Sequence, residues 1–214
     1  MGVHLYQHGL SYFSVPKCAC TSLKAFFFEI ENGFEWRPFR ANGKRKTLHQ
    51  FYSSKRFSKE VHPQMQSHWK AAVVRDPVAR LLSAYSNRVL YHNELNHIAL
   101  TDADRESGLT LRPRLSLFIR HLERYRELSK PLWHHTRPMV CFLGEDPGFF
   151  DAIYGMREID AFRDAVKARI GQVPEVRRLQ TGGKKIDRDV LKPAQVKKIE
   201  GAYAADYAVF SAHL

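Results

Sequence analysis

Residues 11–24 read SYFSVPKCACTSLK, and residues 25–33 continue AFFFEIENG. Ser11 to Val15 is rich in β-branched and aromatic side chains and is stopped by Pro16, which reads as a short buried strand. Thr21 and Ser22 place hydroxyls where a helix would start, an apolar run follows, and Gly33 is a stop signal. A helix is therefore expected over about 21–32. It is apolar nearly all round and should be buried. PKCAC lies between the two elements. A loop entering a helix aims several backbone N–H groups at one spot, and the helix dipole adds partial positive charge there. Lys17 adds a full charge, and Thr21 and Ser22 add hydroxyl donors. That combination suits a phosphate, although the G-x-x-x-x-G-K-[ST] pattern is absent. An ordinary strand-to-helix turn with an exposed lysine fits the same residues.

A second strand–helix junction lies downstream. KAAVVR, residues 70–75, reads as a strand, Asp76 as an N-cap and Pro77 as a first helical residue. Val78, Leu81, Leu82, Tyr85 and Val89 recur at helical spacing, with Arg80, Ser83 and Asn87 on another face. Arg75 can grip an oxyanion with two parallel hydrogen bonds, and Ser83 can donate to the same group. Taken alone, the stretch reads better with Arg75 as a salt-bridge partner and Ser83 as a small packing residue. As a pair the two junctions are more specific. In a parallel sheet both lie at the carboxyl edge, where a ligand with two separated phosphates fits.

Outward from these, MVCFLG (139–144) and residues 152–156 read as further strands. Residues 113–128, 159–170 and 193–210 read as helices, the last with Val196, Ile199, Tyr203, Tyr207 and Phe210 on one stripe. RPFRANGKRKT, residues 37–47, reads as a basic loop. Residues 94–112 are polar and mixed, as an insertion or lid would be. Strands alternate with helices and no repeat is visible. The expectation is an α/β, P-loop-like three-layer fold with a central parallel sheet, as one domain over residues 1–214.

Composition excludes several classes. Charged residues make up 26% of the 214, with only 12 Gly and 10 Pro, against disorder or low complexity. The longest apolar run, Leu23 to Ile30, holds Lys24 and Glu29 and falls well short of the ~18 residues of a membrane span. The N-terminus lacks the basic start and cleavage site of a signal peptide, and Tyr6 stands where myristoylation needs Ser or Thr. Three cysteines make no disulfide framework, so a cytoplasmic location is expected. The net charge is +12: +6 over residues 1–60, +5 over 61–138 and +1 over 139–214. The expected partner is an anion: nucleic acid, a phosphorylated cofactor or an acidic glycan.

PKCACTSLK and RDPVARLLSAY resemble the two nucleotide motifs of sulfotransferases that use 3′-phosphoadenosine 5′-phosphosulfate (PAPS). The nearer resemblance is to the carbohydrate-type branch, which includes chondroitin and HNK-1 sulfotransferases. His135-Thr136-Arg137-Pro138 resembles that family's H-x-R-P element, with Met139 where Gln is usual. Residues 203–210, YAADYAVF, resemble its closing Y-x-x-D-[YF]-x-x-F helix. Relatives with a membrane anchor and stem carry them before the first strand, so this chain is expected to be a minimal catalytic domain.

The resemblance implies that Lys17, Cys18, Ala19, Cys20, Thr21 and Ser22 hold the 5′-phosphosulfate, and that Arg75 and Ser83 bind the 3′-phosphate. It also implies that Gly183 and Lys184, in TGGKK, close over the nucleotide. A mobile turn suits that stretch equally. Lys17 sits where the departing phosphate gains charge, so it is counted as catalytic too. The acceptor hydroxyl needs a general base. His49 in TLHQFY, where relatives also tend to carry a histidine, is the first candidate. His135 is the second and His68 the third. Arg137 is divided between binding substrate and stabilising its loop. Arg37, Arg40, Lys44, Arg45 and Lys46 cluster between the loop and His49; Lys44 and Arg45 are taken as a rim for an anionic saccharide, and a solvated loop that aids solubility fits the stretch equally. Cys18-x-Cys20 lacks the second ligand pair that zinc needs, so no metal is expected. The alternatives are a P-loop-like kinase or nucleotide hydrolase, which needs Mg2+ and carboxylates to hold it, and a basic nucleic-acid-binding module, for which no signature is present.

Overall fold

Val3–Leu5 (β1) doubles back onto Leu10–Phe13 (β2) through Gly9, whose φ of 55° lies in the left-handed region that glycine enters without strain. The chain continues as Cys20–Asn32 (α1), Phe39–Ala41 (β3), Lys44–Lys46 (β4), Leu48–Phe51 (α2) and Trp69–Val74 (β5). Pro77–Ala84 (α3), Asp102–Glu106 (α4), Leu115–Arg120 (α5), Leu122–Leu128 (α6) and Lys130–Thr136 (α7) follow. Then come Val140–Leu143 (α8), Ala152–Gly155 (β6), Ile159–Ile170 (α9), Pro193–Ala202 (α10) and Ala204–Phe210 (α11).

The computed structural model describes residues 2–58, 60, 62–179 and 182–214. They group into two compact units. One draws on Met1–Arg75, Met139–Gln180 and Ala208–Leu214, the other on Asp76–Pro138 and Thr181–Tyr207.

The first unit is built on a sheet in the order β1-β2-β5-β6. β2, β5 and β6 are parallel, and β1 is an antiparallel edge. Alternate side chains divide between its faces. Leu10, Tyr12, Ala71, Val73 and Tyr154 pack with Leu23, Phe26 and Phe27 of α1 and Phe162 and Val166 of α9. Phe13, Ala72, Val74 and Ile153 pack with Met139, Phe142 and Leu143 around α8, and with Phe210. A parallel sheet covered on both faces reads as near-continuous apolar runs, as KAAVVR does. This is the expected α/β arrangement, with helices on both sides of a parallel core.

Two local expectations are corrected here. MVCFLG is not a strand. Val140–Leu143 is helical, because Met139, Phe142 and Leu143 recur at i, i+3 and i+4 and all three are buried. A four-residue apolar run cannot separate strand from helix by periodicity. The basic stretch 37–47 is a β-hairpin, with Phe39 opposite Lys46 and Arg40 opposite Arg45. Its turn is Asn42-Gly43 at φ 50° and 71°, the two positive values a type I′ turn requires.

The second unit is helical. Val78, Leu81, Leu82 and Tyr85 pack with Phe118, Ile119, Leu122, Tyr125, Ile199 and Tyr203. Residues 94–112 form short helical turns that seat Leu95 and Leu109 in that core. The helix expected over 113–128 breaks at His121 into α5 and α6, and the one over 193–210 breaks at Tyr203 into α10 and α11. The Tyr203 hydroxyl donates to the Thr136 carbonyl at 2.5 Å and accepts from Arg126 Nη2 at 2.8 Å. α3 runs into a π-helical turn over Tyr85–Tyr91, a distortion that often accompanies functional sites.

Candidate active site

The loop after β2 has an unusual backbone. Lys17 lies at φ 69° and Ala19 at φ 52°, neither being glycine. Each left-handed non-glycine residue costs on the order of 1–3 kcal/mol and persists only where its surroundings enforce it. Alternating left-handed residues swing successive N–H groups to one side of the chain, which makes a concavity for anions. Ala19 is also the N-cap of α1 and offers no side-chain cap. The thirteen-residue helix thus presents its first turn without the side-chain oxygen that usually closes it.

The surroundings that enforce this shape are visible. The Cys18 N–H donates to the Val15 carbonyl at 3.3 Å. The Cys18 side chain is fully buried, with Sγ 4.0 Å from Met139 Sδ, and Cys20 is buried as well. Both cysteines act here as small packed side chains. The Ser22 hydroxyl accepts from the Leu179 N–H at 2.9 Å, tying the 171–179 stretch to α1. Arg75, at the end of β5, donates from Nη1 to the Lys17 carbonyl at 3.1 Å. The two sequence junctions therefore meet at that bond.

His49 lies beside the same loop. Its Nε2 is 2.9 Å from Thr21 Oγ1 and its Nδ1 3.3 Å from Lys24 Nζ. Lys24 is 0% exposed and also donates to Ser54 Oγ at 2.8 Å, and Ser54 in turn meets Ser14 Oγ at 2.7 Å. Burial holds the Lys24 ammonium below the ordinary lysine range, partly offset by Cys20. An ammonium has only donors, so a charged Lys24 obliges Nδ1 to accept and leaves the ring proton on Nε2. A neutral Lys24 accepts from Nδ1–H instead and makes Nε2 the acceptor, facing Thr21 Oγ1. Lys24 and Ser54 are the site residues that sequence reasoning misses. The available signal is a lysine within the otherwise apolar LKAFFF run.

His68 is buried and its Nδ1 lies 2.8 Å from Ser11 Oγ, a packing role. Burial lowers its pKa, and the neighbouring His4 is lowered to about 4 by burial and nearby positive charge. Lys44 and Arg45 are exposed on β4.

The remaining candidates lie in the second unit. Ser83 is half-buried on α3. His135 Nδ1 is 2.7 Å from the Pro131 carbonyl and 3.2 Å from Arg88 Nε; it donates to the first or accepts from the second. Arg137 is buried, with its guanidinium 4.3 Å from the centre of the Trp133 ring, and its carbonyl accepts from Arg80 Nη1 at 2.8 Å. These contacts favour the loop-stabilising role. Asp76 caps α3 by accepting from the Ala79 N–H at 2.8 Å and also accepts from Tyr207 at 3.0 Å. The 182–184 stretch is pinned to the π-helical turn, where the Lys184 carbonyl accepts from Ser86 and the Gly182 carbonyl from Asn87. Gly183 has φ 90°, and a Cβ there would lie 2.7 Å from Ser86 Oγ, so only glycine fits. Thr181 of TGGKK lies outside the described residues.

Among the described residues no three His, Cys, Asp or Glu side chains converge as metal ligands, and no helix is long and apolar enough to cross a membrane. No curated protein and no solved structure matches the chain. The family model described as the sulfotransferase family does, over residues 5–211. That span takes in the left-handed loop before α1, the β5–α3 junction and α11, and the chain belongs to the sulfotransferase family, transferases that move a sulfuryl group to a hydroxyl-bearing acceptor.

Proposed function

We propose that this chain transfers the sulfuryl group of PAPS to a hydroxyl of a saccharide, with the Pro16–Ser22 loop holding the 5′-phosphosulfate and Arg75 the 3′-phosphate. One observation carries this reading: the left-handed Lys17 and Ala19 at an uncapped helix start, tied to Arg75 through the Lys17 carbonyl. A nest of N–H groups, a lysine and a helix N-terminus form a cradle of the right chemistry for a dianionic phosphate.

Bound PAPS supplies a sulfuryl group on a phosphate leaving group. Sulfuryl transfer is taken, like phosphoryl transfer, to depend mainly on positioning and charge stabilisation. Lys17 and the first-turn N–H groups of α1 stabilise the charge that grows on the departing phosphate oxygen. His49 takes the hydroxyl proton at Nε2, the nitrogen that faces the loop at Thr21 Oγ1, 2.9 Å away. A neutral Lys24 accepts from Nδ1–H and holds the ring in the tautomer this requires.

Arg75 gives the test. Arg75→Ala should weaken PAP, the desulfonated product, by about tenfold or more beyond its effect on adenosine 5′-phosphosulfate, which lacks the 3′-phosphate. Calorimetry on both ligands measures this. Some loss for both is expected because Arg75 also supports Lys17. Equal losses for the two ligands would overturn the 3′-phosphate assignment.

A further inference from the structure

Beside α2 lies a cleft of ≈ 620 Å³ lined by Phe28, Phe34, Trp36, Phe39 and Phe51, with Asn32, Glu35 and Arg37 among them. Trp36 is its hub, with ring centroids 4.8 Å from Phe28, 5.6 Å from Phe39 and 5.7 Å from Phe51. Phe34, Phe39 and Phe51 are about half exposed or more. A contiguous exposed aromatic patch of this kind marks a place where something binds. The proposed reaction leaves the cleft unused.

Its charges narrow the ligand. Glu35 is engaged by Arg177 Nη1 at 2.5 Å, and Arg177 also holds Glu29 at 2.6 Å. The hairpin supplies cations. Phe39 pairs with Lys46, and Ala41 with Lys44, so these four share one face, while Arg40 and Arg45 share the other. Phe39 lines the cleft, so Lys44 and Lys46, rather than Arg45, are the cations on its side. Apolar ring faces bounded by polar edges and lysines match a pyranose bearing an anionic group, with C–H faces for the rings and hydroxyls for the rim. A lipid or a plain arene would make no use of the charges of Arg37, Lys44 and Lys46.

The position narrows it further. His49 and Phe51 are two residues apart on one helical turn and so face different sides of it. His49 meets the phosphate loop and Phe51 lines the cleft. A hydroxyl at His49 and a ring in the cleft belong to different sugar units. We propose that this cleft is a subsite for a non-reacting ring of an anionic oligosaccharide, seated on Trp36, Phe39 and Phe51 with its anionic group at Lys44 and Lys46. This deepens the sulfotransferase reading and rests on it for the acceptor's reacting end.

The probe is a ladder of oligogalacturonides of one to four rings, titrated calorimetrically into the whole chain without PAPS at low salt. Affinity should rise at least tenfold from one ring to four. Trp36→Ala and the surface variant Phe34→Ala should each remove that gain. Lys46→Glu should weaken the tetramer several-fold more than Arg45→Glu, and the difference should fade as salt rises. No dependence on ring number, equal effects of Lys46→Glu and Arg45→Glu, or tighter binding of 2-naphthol than of the tetramer would overturn the proposal. PAP stabilisation of the same samples reads the other half. If it persists while the ladder fails, only the cleft assignment falls. If it is absent, the sulfotransferase reading has failed.

Discussion

His49→Ala lowers turnover by about 10²-fold or more and leaves PAP affinity nearly unchanged, if the ring is the base beside the loop. Single-turnover rates with PAPS, alongside PAP titration, measure both quantities. A variant with full turnover would move the base role to His135 or elsewhere. Lys24 sharpens the test. A fully buried lysine that hydrogen-bonds the side chains of His49 and Ser54, neither of them a carboxylate, is costly to keep charged. Lys24→Met has similar length and no charge, so it should leave the melting temperature unchanged or raise it. Turnover should nonetheless fall towards that of His49→Ala, because Lys24 no longer accepts from Nδ1–H. If neutral Lys24 is the working form, kcat rises with pH through the lysine's own titration, which burial has moved down. Lys24→Met should lose that rising limb. A slow Lys24→Met with the wild-type pH profile would restrict Lys24 to packing.

The second large effect is at Lys17. Removing one donor aimed at developing charge typically costs 10²–10³ in rate, and Lys17→Ala should lose that much in kcat as well as PAP affinity. The left-handed backbone at φ 69° supplies a control. Lys17→Gly relieves the strain and keeps the loop shape, so it should be at least as stable as Lys17→Ala. If the ammonium matters, the two variants are equally slow. If only loop shape matters, Lys17→Gly retains wild-type turnover and the stabilising role of Lys17 is refuted.

Much of this was legible because strong local signals agree with tertiary structure. Pro16, Gly33 and the run between them mark α1, and Asp76-Pro77 marks the start of α3 to the residue. The reading was weaker where local signals are short or cancelled by distant contacts. Val140–Leu143 is too brief for periodicity to decide. Tyr203 ends α10 within an apolar stripe that continues past it, and its hydroxyl is held by Arg126 and Thr136, partners far away in sequence. The hairpin at 39–46 was readable from Asn42-Gly43, but five cations nearby suggested a solvated loop. In the site, the loop and Arg75 could be named from sequence. Lys24 could not, because its role comes from a ring on another helix. Nor could the left-handed angles of Lys17 and Ala19, since neither is glycine.

The most direct measurement is the melting temperature of the whole chain with PAP in excess EDTA, beside ATP with Mg2+ and duplex DNA. At about 100 times its Kd, a ligand that binds only the folded state adds roughly 2.7 kcal/mol. For a chain of this size that corresponds to a shift of several degrees. The account predicts this rise with PAP in EDTA, and about half of it or less for Arg75→Ala at the same PAP concentration. No shift with PAP, together with a clear rise for ATP and Mg2+, would contradict it.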